Sequence, residues 1–329
     1  MLIVFHGRNA ATFADGIEPL IDGAHEIRLL PDLLETAEET RLYQAADVIV
    51  SSRYAADLPV PEAVRLFHVP GAGVDAVDMA LLPDGTAVCN CFGHETAIGE
   101  YVMAALLRHV VPIAHADQEL RQGEWAYWSA RDGSLHGELA GRSIGLLGYG
   151  HIGQHIARLA DAFGMRVLVA NRRPIEPRAP VAASFTLDRL TEFCAEADYI
   201  VCSLPHLPET EGLVDAAAFA AMRPHAVLVN VGRGPVVDQQ ALFDALAKRR
   251  IGGAVIDTWY VYPPAGASSG TLPAQLPFHG LGNVVMTPHM SGWTDGMVRR
   301  RRQTIADNIG RLARGEALVN PVARPGIDK

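Results

Sequence analysis

Gly148-Tyr149-Gly150-His151-Ile152-Gly153 reads GxGxxG, set between the apolar run SIGLLG and the helical stretch QHIARLADAFG. In that setting each glycine has its own use. The first makes the tight turn, the second lets backbone approach a pyrophosphate, and the third lets helix and strand pack closely. The amides that open the following helix then face the negative charge. Because strand, motif, helix and second strand fall in the required order, Gly148, Tyr149, Gly150, His151 and Ile152 are candidate dinucleotide contacts. At the end of the second strand, where Asp or Glu would bind ribose hydroxyls, the chain reads Val169-Ala170-Asn171-Arg172-Arg173-Pro174. A carboxylate there would repel a 2′-phosphate, whereas guanidinium groups bind phosphate through charge-assisted hydrogen bonds. Asn171, Arg172 and Arg173 therefore favour NADP(H), with NAD(H) also possible.

Other chemistries drop out. Gly141-Arg142-Ser143-Ile144-Gly145 matches the nucleophile-elbow pattern GxSxG, but an elbow needs its strand before the serine, and here the strand follows it. His151 and His155 lie one helical turn apart without a HExxH motif or a third partner nearby, so no metal is expected. Lysine occurs only at Lys248 and Lys329, which leaves almost no place for a Schiff-base or phosphate-loop lysine. Cys89, Cys91, Cys194 and Cys202 form no CxxC pair and read as buried thiols in a reducing compartment.

The elements that must carry these residues follow from the hydrophobic pattern. A chain of 329 residues suggests two domains. Short apolar runs alternate with helical patterns from the start: LIVF at 2 to 5, DVIV at 47 to 50, RLFHV at 65 to 69 and TAVCN at 86 to 90. Residues 100–121 read as one long joining helix, followed by an aromatic, glycine-rich loop. From residue 143 the rhythm restarts with six apolar runs, enough for a complete doubly wound sheet. The tail from 291 to 308 reads as a helix folding back on the first domain. The expected fold is α/β with two doubly wound parallel-sheet domains, a flavodoxin-like substrate domain (1–98 and 291–329) and a Rossmann NAD(P)-binding domain (99–290). The opening MLIVFHGRNA lacks a basic leader and no uncharged apolar run approaches the roughly eighteen residues of a membrane span, so a soluble cytoplasmic protein is expected. A net charge of −9 disfavours nucleic acid. The arginine run at 299–302 reads as a solvated or salt-bridged helix face.

The order of features resembles the D-2-hydroxyacid dehydrogenases over nearly the whole chain. The motifs concerned are the mid-chain GxGxxG, Asn230-Val231-Gly232-Arg233-Gly234, the strand end at Asp257 and Thr287-Pro288-His289. Gly71-Ala72-Gly73-Val74-Asp75, Glu100, and Ser203-Leu204-Pro205 with Thr210 also match. The resemblance implies that Arg233 grips a substrate carboxylate and polarises the C2 oxygen, and that His289 is the acid and base. It implies that Asp257 holds the nicotinamide ring, that the amides of Ala72 and Gly73 receive the carboxylate, and that Ser203, Leu204, Pro205, Thr210, Val231, Gly232 and Gly292 line the cofactor. Arg53 and His94 are further candidate substrate contacts, with His94 standing where the family often has Asn. A homodimer and a small anionic substrate are the implied partners.

One departure bears on mechanism. The family usually places Glu five residues after the aspartate, paired with the catalytic histidine, and here that slot holds Tyr262. A phenol is neutral at pH 7 and supplies no compensating charge. Keto-acid reduction is therefore expected to fall off at lower pH than in Glu-bearing relatives, unless Glu95 or Asp295 substitutes. The leading expectation is NADP(H)-dependent interconversion of a small 2-oxo acid and a D-2-hydroxy acid, for example with glyoxylate or hydroxypyruvate. Formate-dehydrogenase-like hydride transfer and a corepressor-like dinucleotide sensor are the alternatives. The rings Trp125, Tyr127, Trp128, Trp259 and Tyr260 could wall a bulky substrate or pack against a domain or a second copy.

Overall fold

Apolar runs alternating with amphipathic helices build two all-parallel sheets, seen in a computed structural model that describes residues 1–129, 131–264 and 269–324. The first compact unit comprises Met1–Gly93 and the chain from Thr294 onward, and the second is His94–Trp293. The exchange points thus differ by a few residues from those expected, because all of the helix beginning at Glu95 groups with the second unit.

The first unit begins β1 (Leu2–His6), α1 (Arg8–Ala14), β2 (Glu26–Leu30), α2 (Ala37–Gln44), β3 (Val48–Val50), β4 (Leu66–His68) and β5 (Ala87–Cys89). The second contains α3 (Glu95–Val110), α4 (Ile113–Leu120), β6 (Ser143–Leu147), α5 (His151–Ala162), β7 (Arg166–Asn171), β8 (Val181–Thr186) and α6 (Leu190–Glu196). It continues through β9 (Tyr199–Cys202), α7 (Ala216–Ala221), β10 (Val227–Asn230), α8 (Gln239–Ala247), β11 (Gly253–Ile256) and β12 (Val284–Met286), and the chain then returns to the first unit as α9 (Asp295–Arg314). The sheet orders are β2-β1-β3-β4-β5 and β12-β11-β10-β9-β6-β7-β8.

Two strands escaped the sequence reading, and both are sheet edges. β2 and β8 each bury only part of their length, so neither shows the continuous apolar run that marks a central strand. The expected single helix over 100–121 is two helices bent by 50° at Pro112, whose ring removes a backbone donor and clashes with the preceding turn. Among the described residues no single helix is long and apolar enough to cross a membrane.

In the first unit, α9 sets Met297, Ile305, Ala306 and Ile309 against Ile3, Phe5, Val48 and Leu66. Its arginine run is in part the salt-bridged face expected, with Arg299 exposed and paired to Asp295. Arg300 donates to Gly93 O, Arg301 to Phe92 O and Pro70 O, and Arg302 to Thr12 O in the last turn of α1. Two guanidiniums therefore brace loop carbonyls and a third the end of α1. In the second unit Ser143 opens β6 with its amide and hydroxyl both on the buried carboxylate of Asp198, which also accepts from Arg223 and His225. That use explains the serine of GxSxG as a structural residue.

His68 is fully buried in the first unit, its Nε2 accepting from Asn308 and its Nδ1 turned to Val69 O. Burial pushes its pKa down to about 4. Because the folded value lies below the unfolded one near 6.5, its stabilising contribution is complete above pH 6.5 and is lost as pH falls towards 4. Urea unfolding from pH 7 to pH 4 should show a loss from this group approaching roughly 3 kcal/mol. His68→Gln should flatten that slope; an identical slope in the variant would assign it elsewhere.

Candidate active site

The seven-stranded sheet changes direction between β6 and β9, and the loops leaving those strands form the crevice where open α/β sheets bind ligands. Gly148 ends β6 with φ +100°, a left-handed value that side chains rarely adopt. A Cβ at Gly153 would stand 2.3 Å from Gly148 O, so only glycine lets α5 approach its strand. A Cβ at Gly150 would meet nothing within 4 Å, and as N-cap of α5 this residue offers no capping side chain. The N-terminus of α5 thus has no capping side chain and room beside Gly150, as a pyrophosphate cradle requires. A Cβ at Gly232 would lie 2.6 Å from Leu204 O, which shows how closely the loops after β9 and β10 pass.

Other expected cofactor residues sit around this crevice in different roles. The Ser203 hydroxyl turns back to Gly148 O, and buried Thr210 donates to Pro205 O while accepting from Leu207 N. Thr210 thus shapes the loop that carries Leu204 and Pro205. Asn171 closes its own turn by donating to Arg173 O, and Arg172 forms an exposed ion pair with Glu209 at 3.3 Å. Tyr149, His151 and Ile152 open α5, with His151 Nδ1 3.8 Å from Glu95.

Arg233 follows β10, and Asn230 braces its turn by accepting from Gly232 N and donating to Arg233 O. His289 lies in the segment after β12 with φ +57°, the left-handed region. Buried Asp257 at the end of β11 imposes that turn. Its Oδ1 accepts from Thr287 Oγ1 at 2.6 Å and Met290 N at 2.9 Å, and its Oδ2 accepts from Ser291 N at 2.9 Å. Trp259 Nε1 donates to Thr287 O at 2.8 Å, and Tyr101 hydrogen-bonds the Thr287 hydroxyl. The turn therefore has donors or acceptors fixed on both sides of the imidazole. The Tyr262 hydroxyl reaches His289 Nδ1 at 3.0 Å and accepts from Trp259 N at 3.2 Å.

Electrostatics tie these groups together. Partial desolvation lowers the pKa of His289 below the ordinary imidazole value, with Asp257 opposing the shift and Arg233 adding to it. Burial raises that of Tyr262, against the Trp259 amide and the Arg233 charge. Arg233 thus lies close enough to be felt at both partners. The two carboxylates suggested as substitutes for the missing Glu are engaged elsewhere, Glu95 with His151 and Asp295 with Arg299.

Asp257, expected beside the nicotinamide, is fully buried, and both its oxygens hold the His289 segment. Trp259 and Tyr260 do not wall a substrate either. Both pack on Phe278, and the Tyr260 hydroxyl donates to Val237 O. His94 precedes α3, and a Cβ at Gly292 would stand 3.4 Å from its Cβ, so bare backbone packs there. In the first unit, Arg53 pairs with Asp57. There the carbonyls of Pro70, Gly71 and Ala72 are tied to Arg301, Cys91 N and Asn90. The amides of Gly71, Ala72 and Gly73 have no hydrogen-bond partner among the described residues, a row of donors of the kind that binds anions. Asn230, Thr287 and Trp259 positioned the site without any sequence signal beyond adjacency to a motif.

Residues 103–291 match the model of the D-isomer specific 2-hydroxyacid dehydrogenase NAD binding domain. The chain belongs to the D-isomer specific 2-hydroxyacid dehydrogenase family. D-3-phosphoglycerate dehydrogenase of Methanocaldococcus jannaschii is 30% identical over 81% of this chain and 49% of its own length. The chain thus spans about half the length of the curated relatives it matches. A 2-hydroxyacid dehydrogenase family protein of Aeromonas salmonicida superposes with a TM-score of 0.81 at 26% identity, covering 98% of each chain. An NADPH-dependent glyoxylate/hydroxypyruvate reductase of Sinorhizobium meliloti, solved with NADP and malonate, gives 0.75 at 25% identity over 98% of this chain and 96% of its own.

Asp257→Asn in this dehydrogenase-family chain keeps the shape but turns an amide NH2 towards backbone donors. It should cost about 2 to 3 kcal/mol of stability in urea unfolding, as expected for buried charge-assisted bonds. Any turnover that uses His289 should fall by about 100-fold in kcat. Unchanged kcat in a folded variant would remove Asp257 from the support of the histidine.

Proposed function

We propose that this protein is an NADPH-preferring oxidoreductase that interconverts a small 2-oxo acid and the corresponding D-2-hydroxy acid. The observation that carries this reading is the grouping of Arg233 with the Tyr262–His289 pair at the carboxyl ends of neighbouring strands, beside an uncapped GxGxxG helix. Arg233 presents a planar fork of donors to a 2-oxo carboxylate and its C2 oxygen. His289 places a ring nitrogen opposite that oxygen as the group that gives or takes the proton. Bound by the crevice after β6 and β9, the nicotinamide supplies or accepts the hydride. The unpartnered amides of Gly71, Ala72 and Gly73 are a separate anion-binding element of the first unit.

The NADPH preference rests on Arg172 and Arg173 and on the absence of an acid at the strand end. Glu209 now pairs with Arg172, and a 2′-phosphate would replace it with a doubly charged acceptor. Small substrates are favoured by the reductase relative that was solved with malonate. Buried, unpaired cysteines fit a cytoplasmic setting. A screen of small 2-oxo acids and formate, following reduced-nicotinamide absorbance with NADPH and NADH in parallel, tests the reading. Reduction of glyoxylate or hydroxypyruvate with NADPH is expected. Arg172→Ala should raise the KM for NADPH about tenfold and leave that for NADH nearly unchanged. Formate oxidation without keto-acid reduction would overturn the reading.

We also propose a homodimer. Ile113, Leu120, Trp125, Trp128 and Leu135 of the second unit are large apolar side chains left exposed, Leu135 to 94%, which a second copy of the chain would cover. Light scattering on the eluted protein should give about twice the chain mass, and Trp125→Ser with Leu135→Ser should give a monomer.

A further inference from the structure

Two hydrogen bonds meet at the Tyr262 hydroxyl. Its oxygen accepts from Trp259 N at 3.2 Å and lies 3.0 Å from His289 Nδ1. An amide N–H can only donate, so the Trp259 bond occupies one phenol lone pair and leaves the phenol proton available to Nδ1. A ring nitrogen that accepts is unprotonated, and the neutral imidazole then carries its proton on Nε2. A carboxylate in the same slot would do the reverse. Being acceptor-only, it demands a proton on Nδ1 and leaves a bare lone pair on Nε2.

We propose that Tyr262 is a positioning residue that donates its proton to Nδ1 of His289, so that the neutral ring presents an Nε2–H donor to a substrate oxygen. The contacts stand on the geometry of residues 259, 262 and 289, the tautomer is the proposal, and its catalytic consequence rests on the function proposed above. In the reductive direction the Nε2 proton passes to the C2 oxygen as the C=O bond becomes a C–O single bond. The Tyr262 proton passes to Nδ1 in the same step, so the imidazole stays neutral and the phenol becomes phenolate. That transfer is downhill, because an alkoxide is a far stronger base than a phenolate. The Trp259 amide donates to the phenolate oxygen and the Arg233 charge lies close to it. One proton from water onto Nε2, with the Nδ1 proton returning to the phenolate, resets the pair. Oxidation runs the same path backwards, from the ring with its proton on Nδ1, a bare Nε2 and the phenolate. The charged groups facing the imidazole are Asp257 and Arg233, and with desolvation they leave the ring neutral near pH 7.

The experiment has two readouts on the full chain. Imidazole 15N–1H correlation spectra, with the His289→Asn variant identifying the signal, report which ring nitrogen carries the proton. Nε2 is expected in the wild type, Nδ1 in Tyr262→Glu, and a mixture in Tyr262→Phe. A wild-type proton on Nδ1 overturns the proposal whether or not the protein turns over any 2-oxo acid. For catalysis, wild-type reduction should hold between about pH 6 and pH 9, whereas Tyr262→Phe should lose about tenfold or more through the imidazole titration. Tyr262→Glu should make the reduction rate fall through the imidazole titration, as it does not in the wild type. A wild-type rate that falls through the His289 titration, as the sequence alone leads one to expect, overturns the proton route. Failure of every 2-oxo acid to react removes the proposed function and leaves the tautomer to be decided by the spectra.

Discussion

The site depends on one buried carboxylate. Asp257 lies at the end of a fully buried strand and holds two successive backbone amides and a threonine hydroxyl of the segment that carries His289. A buried ionised group is tolerable only when its lone pairs are filled, and here three donors fill them. The same bonds keep His289 in a left-handed conformation that its own Cβ disfavours. Strain at the functional residue is thus offset by charge-assisted bonds behind it, and the imidazole needs no packing of its own to be held.

The cofactor crevice follows a different rule, set by close approach of backbones. At Gly153 and Gly232 a single methyl carbon would collide with a carbonyl oxygen, and at Gly150 the same carbon would intrude on open space. The glycines therefore do two jobs, letting elements touch where the fold needs contact and keeping the helix N-terminus bare where an anion is to sit. The first unit applies the same economy to its loops. Arg300 and Arg301 satisfy carbonyls of irregular segments and Arg302 one at the end of α1, and the amides of residues 71–73 have no partner among the described residues.

Much of this was legible in the chain. Central strands announce themselves as apolar runs because both faces are covered, and glycine spacing announces the crevice because no other residue fits. The edge strands β2 and β8 were silent because half of each faces water. Pro112 was legible in principle as a break in the long helix, but the apolar face continuing past it masked the signal. Tyr262 was found as a departure at a fixed spacing, while the work of Trp259 was not, since nothing in a tryptophan's sequence position tells where its two N–H groups point.

The sequence by itself determined the two α/β sheets and the place of the glycine-rich turn, because these rest on local periodicity and on residue types whose chemistry is intrinsic, while Arg233, His289 and Tyr262 were singled out by resemblance to the family. Only the tertiary structure decided that Asp257 supports the histidine, that the arginine run braces loops, and that the Tyr262 oxygen already accepts from an amide. The first two are matters of which donor meets which acceptor across segments some thirty residues apart or more, as with Asp257 and Ser291, and the third of how one loop folds over three residues. Hydrogen bonding is directional over about 3 Å, and no one-dimensional pattern carries that direction.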